Sequence, residues 1–117
     1  VAEVWWMGGA LKVPGNVIQE GHDGTAEWNA YWDPPAAGEV WNSSVPLVMV
    51  PLDATNSVPV TTALVYSFGP QSQYTFSALA GSMWAQVVTW QLDNKNAGFE
   101  YFAWDALTAA CSLKPDL

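Results

Sequence analysis

The sequence predicts an α/β fold, part of a mostly parallel open sheet flanked by helices. Three observations carry this expectation. Residues 2–11 (AEVWWMGGAL) and 45–52 (VPLVMVPL) are short apolar runs that end in glycine or polar residues, the pattern of buried strands. Stretches with helix-start signals or helical spacing follow both runs. No short turn joins one run directly to the other, which favours a helical crossover and parallel pairing over a hairpin.

The first run closes at Gly8-Gly9, and residues 12–29 then form a long polar loop holding Pro14-Gly15-Asn16 and Gly21-His22-Asp23-Gly24. Structureless loops of that length inside a compact domain are usually functional or disordered. Asp33 suits a helix N-cap and Pro34 its first turn, so a helix is expected over 36–43. After the second run come Asp53-Ala54-Thr55-Asn56, polar residues where α/β sheets place ligand contacts. A helix is expected over 58–66 and another over 75–91, the latter with an apolar stripe at Phe76, Leu79, Met83 and Val87. Residues 93–98 (DNKNAG) read as a turn-rich loop, and 101–113 as a helix entered through Asp105 and ended by Pro115.

Composition narrows the setting. Half of the 117 residues are hydrophobic, with eight Trp, four Tyr and four Phe, but only 12% are charged, against roughly 25% in an average soluble domain. A small free-standing domain needs polar cover over a large relative surface, so the chain is expected to be part of a larger domain. The net charge of -8 and the three lysines, Lys12, Lys95 and Lys114, argue against a phosphate-backbone or anionic-membrane partner. The carboxylates permit a hard cation or a hydroxyl-rich ligand. Cys111 is alone, which excludes an internal disulfide and a cysteine-based zinc site. With no run of about eighteen apolar residues and no basic leader at Val1, the chain reads as soluble and intracellular, with the cytoplasm as the expected location.

The residues able to do chemistry are Asn16, Glu27, Asn29, Asp53, Asn56 and Asp105, all in loops after apolar runs or at the mouth of a helix. Asn, Glu and Asn in one loop offer the mixture of donors and acceptors that sugar hydroxyls need. On an extended segment Glu27 and Asn29 would point the same way. Each has a plain alternative: a solvated polar loop for the trio, an ordinary N-cap for Asp105, a solvated side chain for the single His22.

Four ordered blocks carry a resemblance. Met7-Gly8-Gly9-Ala10, Pro14-Gly15-Asn16-Val17 with Ala26-Glu27-Trp28-Asn29-Ala30-Tyr31-Trp32-Asp33-Pro34, then Val50-Pro51-Leu52-Asp53-Ala54-Thr55, and finally Trp104-Asp105-Ala106-Leu107 together resemble the calcium-dependent nucleoside hydrolases. The resemblance spans nearly the whole chain and implies that residues 1–117 are the C-terminal portion of a single nucleoside hydrolase domain. It further implies hydrolysis of the N-glycosidic bond of ribonucleosides to ribose and free base. Asp105 would be a Ca2+ ligand; Asn16, Glu27 and Asn29 would grip the ribose hydroxyls; Trp28 would line the pocket. The implied partners are a small-molecule nucleoside and, at full length, a second copy in a homodimer. The family's catalytic base and remaining calcium ligands lie in a DxDxxxDD motif that residues 1–117 do not contain.

Two departures from the family pattern bear on substrate. Trp104 stands where relatives with the inosine-uridine preference have His. An indole N–H is no acid at neutral pH, so the resemblance is closer to the purine-specific branch, in which the base lies between aromatic rings. Trp104 would then act on the leaving base by stacking, most strongly if the base becomes cationic. The long loop between Asn16 and Glu27 is the second departure; its Glu20, His22 and Asp23 could reach the base or close the site. Three other readings remain open: a pyrimidine- or mixed-specificity hydrolase, a ribonucleoside-binding module of the same fold without catalysis, and a structural fragment inert by itself.

Overall fold

Strands β1 (Val4–Met7) and β2 (Leu47–Val50) pair in parallel, with Val4 opposite Leu47 and Met7 opposite Val50. The computed structural model describes residues 1–94 and 100–117. It divides into one unit of Val1–Val58 with Trp104–Leu117 and another of Pro59–Ala103. No helix among the described residues is long and apolar enough to cross a membrane.

In the first unit the crossover from β1 to β2 carries two short helices, α1 (Trp28–Trp32) and α2 (Pro34–Trp41). Asp33 starts α2 as its spacing predicts, accepting the Ala36 N–H at 3.0 Å with Pro34 in the first turn. A four-residue helix, α3 (Leu52–Thr55), follows β2 directly, and α6 (Trp104–Leu113) packs on β1 and α3. The core holds Met7, Val17, Val50 and Leu52; burying side chains of this size contributes roughly 1.5–3 kcal/mol each. Pairing continues past the strands, because Gly8 N–H donates to the Val50 carbonyl and Leu52 N–H to the Gly9 carbonyl, at 3.3 and 2.9 Å.

The second unit contains α4 (Thr62–Ser67), a 3-10 turn at Gly69–Gln71 and the long helix α5 (Thr75–Asp93). Its ends are tied by the Gln91 carboxamide, which donates to the Val60 carbonyl at 3.0 Å and accepts the Tyr101 N–H at 2.7 Å. Pro59 and Phe102 form an antiparallel bridge beside this clamp.

Parallel pairing across a helical crossover agrees with the expectation, while several boundaries move. The strands are shorter than the apolar runs, although single backbone bonds at Gly8 and Leu52 carry the pairing past their ends. Residues 53–56 are not a loop: Asp53 to Thr55 are helical and Asn56 is the C-cap. The helix expected over 58–66 begins at Thr62, capped by the Thr61 hydroxyl, which accepts the Leu64 N–H at 3.2 Å. Tyr101 and Phe102 precede α6 rather than belonging to it. Of the turn-rich segment 93–98, Asp93 ends α5 and Asn94 caps it, while residues 95–98 lie outside the described residues.

The helix expected over 75–91 is present as α5, but most of its apolar stripe does not pack within the described residues. Phe76, Leu79 and Met83 are exposed, and Val88 is buried instead. The helix has apolar residues on nearly every side, so periodicity alone does not select one. Close approach does: a Cβ on Gly81 would lie 2.9 Å from the Phe68 Cβ, so the side with the small residue is the one that packs.

Candidate functional site

The loop after β1 is pinched shut at its base. Gly15 N–H donates to the Gly24 carbonyl at 2.8 Å, and the N–H groups of Asn16 and Val17 both donate to the Ala26 carbonyl, at 3.0 and 3.1 Å. The approach is close enough to demand glycine, since a Cβ on Gly15 would fall 2.0 Å from the Ala26 oxygen. Val17, one of the pinching residues, is buried. Asn16 is thereby set beside Glu27 and Trp28, and its Oδ1 accepts the Trp28 N–H at 2.9 Å.

Glu27 is 3% exposed, a burial that a carboxylate tolerates only when well bonded. Its Oε2 accepts N–H groups from Gly9 at 3.0 Å, Asn29 at 3.0 Å and Ala30 at 3.2 Å, and Oε1 accepts from Asn29 at 3.0 Å. Glu27 is thus the N-cap of α1, where the positive end of the helix favours a negative charge. The expectation of an extended Glu27–Asn29 segment with parallel side chains is overturned. Asn29 lies in the first turn of α1, and its backbone rather than its side chain faces Glu27. The Asn29 Nδ2 donates to the Met7 carbonyl at 3.0 Å and lies 3.2 Å from the Met7 Sδ.

These bonds leave complementary groups over. Asn16 has used its oxygen on Trp28, leaving the Nδ2 donor; Asn29 has used its nitrogen on Met7, leaving the Oδ1 acceptor. Glu27 Oε1 has one N–H partner and capacity for another. One donor and two acceptors held by backbone bonds suit hydroxyls, which both give and take hydrogen bonds.

Asp105 lies in the first turn of α6 and is exposed. With Trp5, Met7, Thr108, Ala109 and Ser112 it lines an open cleft of about 310 Å³. Met7 borders this cleft and also accepts the Asn29 hydrogen bond. Trp104, the first residue of α6, is half-buried. A calcium ion takes six to eight oxygen ligands. Asp105 is a suitable carboxylate for one position, but no group of three or more His, Cys, Asp or Glu among the described residues could hold a metal. The described residues alone do not make up a metal site.

Trp28 heads an aromatic cluster with Tyr31 and Trp32, ring centroids 5.7 and 5.6 Å away. His22 is exposed, as a solvated side chain would be, and its ring meets that of Tyr31 edge-on with centroids 4.6 Å apart, while the Tyr31 hydroxyl donates to Gln19 Oε1 at 3.3 Å. The loop tip therefore folds onto α1. Asp23 accepts both the hydroxyl and the N–H of Thr25, which hold its carboxyl below the ordinary value. Asp53 does not join the trio; it accepts the N–H groups of Leu11 and Lys12, each at 2.8 Å. Met7 was missed in the sequence because its part is played by a backbone carbonyl and a thioether, for which residue type gives no signal.

Parallel strands with a crossover and polar groups gathered past the strand ends define an α/β protein with a candidate strand-end site. The chain matches the profile of the inosine-uridine preferring nucleoside hydrolases over residues 1–117, and it belongs to that family. It is similar to the solved structure of the inosine-uridine preferring nucleoside hydrolase from Bacillus anthracis, with a TM-score of 0.76 and 37% identity over 96% of this chain and 34% of that one. Nucleoside hydrolase 3 of Arabidopsis thaliana is 34% identical over 90 residues, 75% of this chain and 10% of its own length. An uncharacterised protein of Schizosaccharomyces pombe is 39% identical over 56 residues, 48% of this chain and 16% of its own. The chain thus spans about a third of the solved relative and less of the other two.

Proposed function

We propose that the full-length protein hydrolyses the N-glycosidic bond of ribonucleosides, purine nucleosides in preference, with residues 1–117 supplying the C-terminal part of the domain. The observation that carries this reading is the buried Glu27 carboxylate between Asn16 and Asn29, whose leftover donor and acceptors match ribose hydroxyls. Contacts of this kind accelerate the reaction where they tighten as positive charge builds on the ring, since only interactions stronger in the transition state raise the rate. Family membership supports the reaction class.

In the same reading Asp105 contributes one carboxylate to a Ca2+ site completed by residues outside this chain. The ion would supply Lewis-acid polarisation of water and hydroxyl groups when bound. Trp28 lines the pocket, and Trp104 stacks on the base, which favours purines by ring area. Release of reducing sugar from inosine and from uridine by the full-length protein tests the proposal. Turnover of both with inosine favoured is expected. Equal or faster uridine cleavage would remove the purine preference, and ribose binding without base release would make the protein a binding module.

A further inference from the structure

We propose that Asp53 is a positioning residue for Glu27, acting through the Gly9 peptide. This inference rests on the assignment of Glu27 to the sugar site and deepens it.

The chain leaving β1 has to deliver the Gly9 N–H to Glu27 Oε2, 3.0 Å away. Pairing holds it only briefly after the strand ends: Gly8 bonds to Val50, and the Gly9 carbonyl accepts the Leu52 N–H. Beyond Gly9 the segment turns outward, and Leu11 is 67% exposed, so burial does not fix it there. Asp53 does. Its Oδ2 accepts the Leu11 N–H and its Oδ1 the Lys12 N–H, each at 2.8 Å, the short distance expected of charge-assisted bonds. The side chain is mounted on a firm base, because Leu52 next to it is 1% exposed and itself bonds to Gly9. Gly9 is consequently held on both sides, by Leu52 at its carbonyl and by Asp53 two and three residues onward. Two carboxylates, Glu27 and Asp53, grip residues 9–12 from opposite ends.

The test is hydrogen exchange at the Gly9 amide in the full-length protein, read by NMR beside nucleoside kinetics for Asp53→Asn. Asparagine keeps one acceptor, so this variant is the mild one; Asp53→Ala is the severe one. Exchange at Gly9 is expected to accelerate about tenfold in Asp53→Asn while Trp6 and Val50 in the ladder stay within about twofold, since local opening has its own free energy. KM for inosine should rise about tenfold with kcat within about threefold. Unchanged exchange at Gly9 overturns the proposal. Equal acceleration at Gly9, Trp6 and Val50 also overturns it and makes Asp53 a general stabiliser. Acceleration confined to Gly9 with unchanged KM upholds the mechanical link and instead removes Glu27 from sugar binding, so the two failures are distinguishable.

Discussion

The Asn29 side chain donates its amide to the Met7 carbonyl at 3.0 Å, joining the first turn of α1 to the last residue of β1. The bond orients the carboxamide so that its oxygen is the group left for a ligand. It also places that oxygen beside the residue that borders the Asp105 cleft.

Asn29→Asp tests the orientation. The carboxylate cannot donate to Met7 and sets a negative charge against a carbonyl. In the full-length protein kcat/KM for inosine should fall by about a hundredfold, or about 2.7 kcal/mol. Asn29→Ala should fall less than Asn29→Asp, because it removes the contact without adding repulsion. The reverse order in steady-state assays would show that the Met7 bond does not orient the site.

Gly15→Ala tests the pinch. The new Cβ would lie 2.0 Å from the Ala26 oxygen, so the loop base must open. Denaturant unfolding should report a loss of about 1–3 kcal/mol, the usual range for overpacking, and KM should rise because Asn16 moves with the loop. A variant as stable as the parent would mean that the pinch yields at no cost.

Asp105→Ala should abolish calcium binding in calorimetry and nearly all turnover of the full-length protein. Calcium removal by a chelator should match it, and added calcium should restore the parent but not the variant. Trp104→Ala should leave calcium binding intact and slow purine cleavage more than pyrimidine cleavage, read as the inosine-to-uridine ratio of kcat/KM. An unchanged ratio would end the stacking assignment.

Acid should unfasten the Asp53 clamp. The N–H of Leu11, and then that of Lys12, hold its carboxyl below the ordinary value of 3.8. A depressed folded-state pKa contributes stability that is complete above 3.8 and is lost as pH falls through the lowered value. The stability difference between the parent and Asp53→Asn should therefore be constant near neutrality and shrink in that acid window. Urea unfolding across the range checks this; a difference that grows on acidification contradicts it.

Fold class was legible because β1 and β2 are the two compact apolar runs and the crossover carries helix starts such as Asp33-Pro34. The shorter features were not. In α1 the decisive cap is Glu27, a residue type outside the usual N-cap set, recruited because the Gly9 N–H also needs an acceptor. Likewise α5 is apolar on too many sides for its packed face to be read before Gly81 is seen against Phe68. At the site, Asn16, Glu27 and Asn29 were legible by residue type and by the family resemblance, not by the spacing of Glu27 and Asn29. Their division of labour was not, since which atom of each carboxamide is already used depends on Trp28 and Met7, partners chosen by the fold.

The most direct test is a crystal structure of the full-length protein with ribose bound. Ribose hydroxyls are expected within about 3.2 Å of Asn16 Nδ2, Glu27 Oε1 and Asn29 Oδ1, with the Met7–Asn29 bond intact. Ribose bound elsewhere, with those three atoms in contact only with water, would contradict that placement.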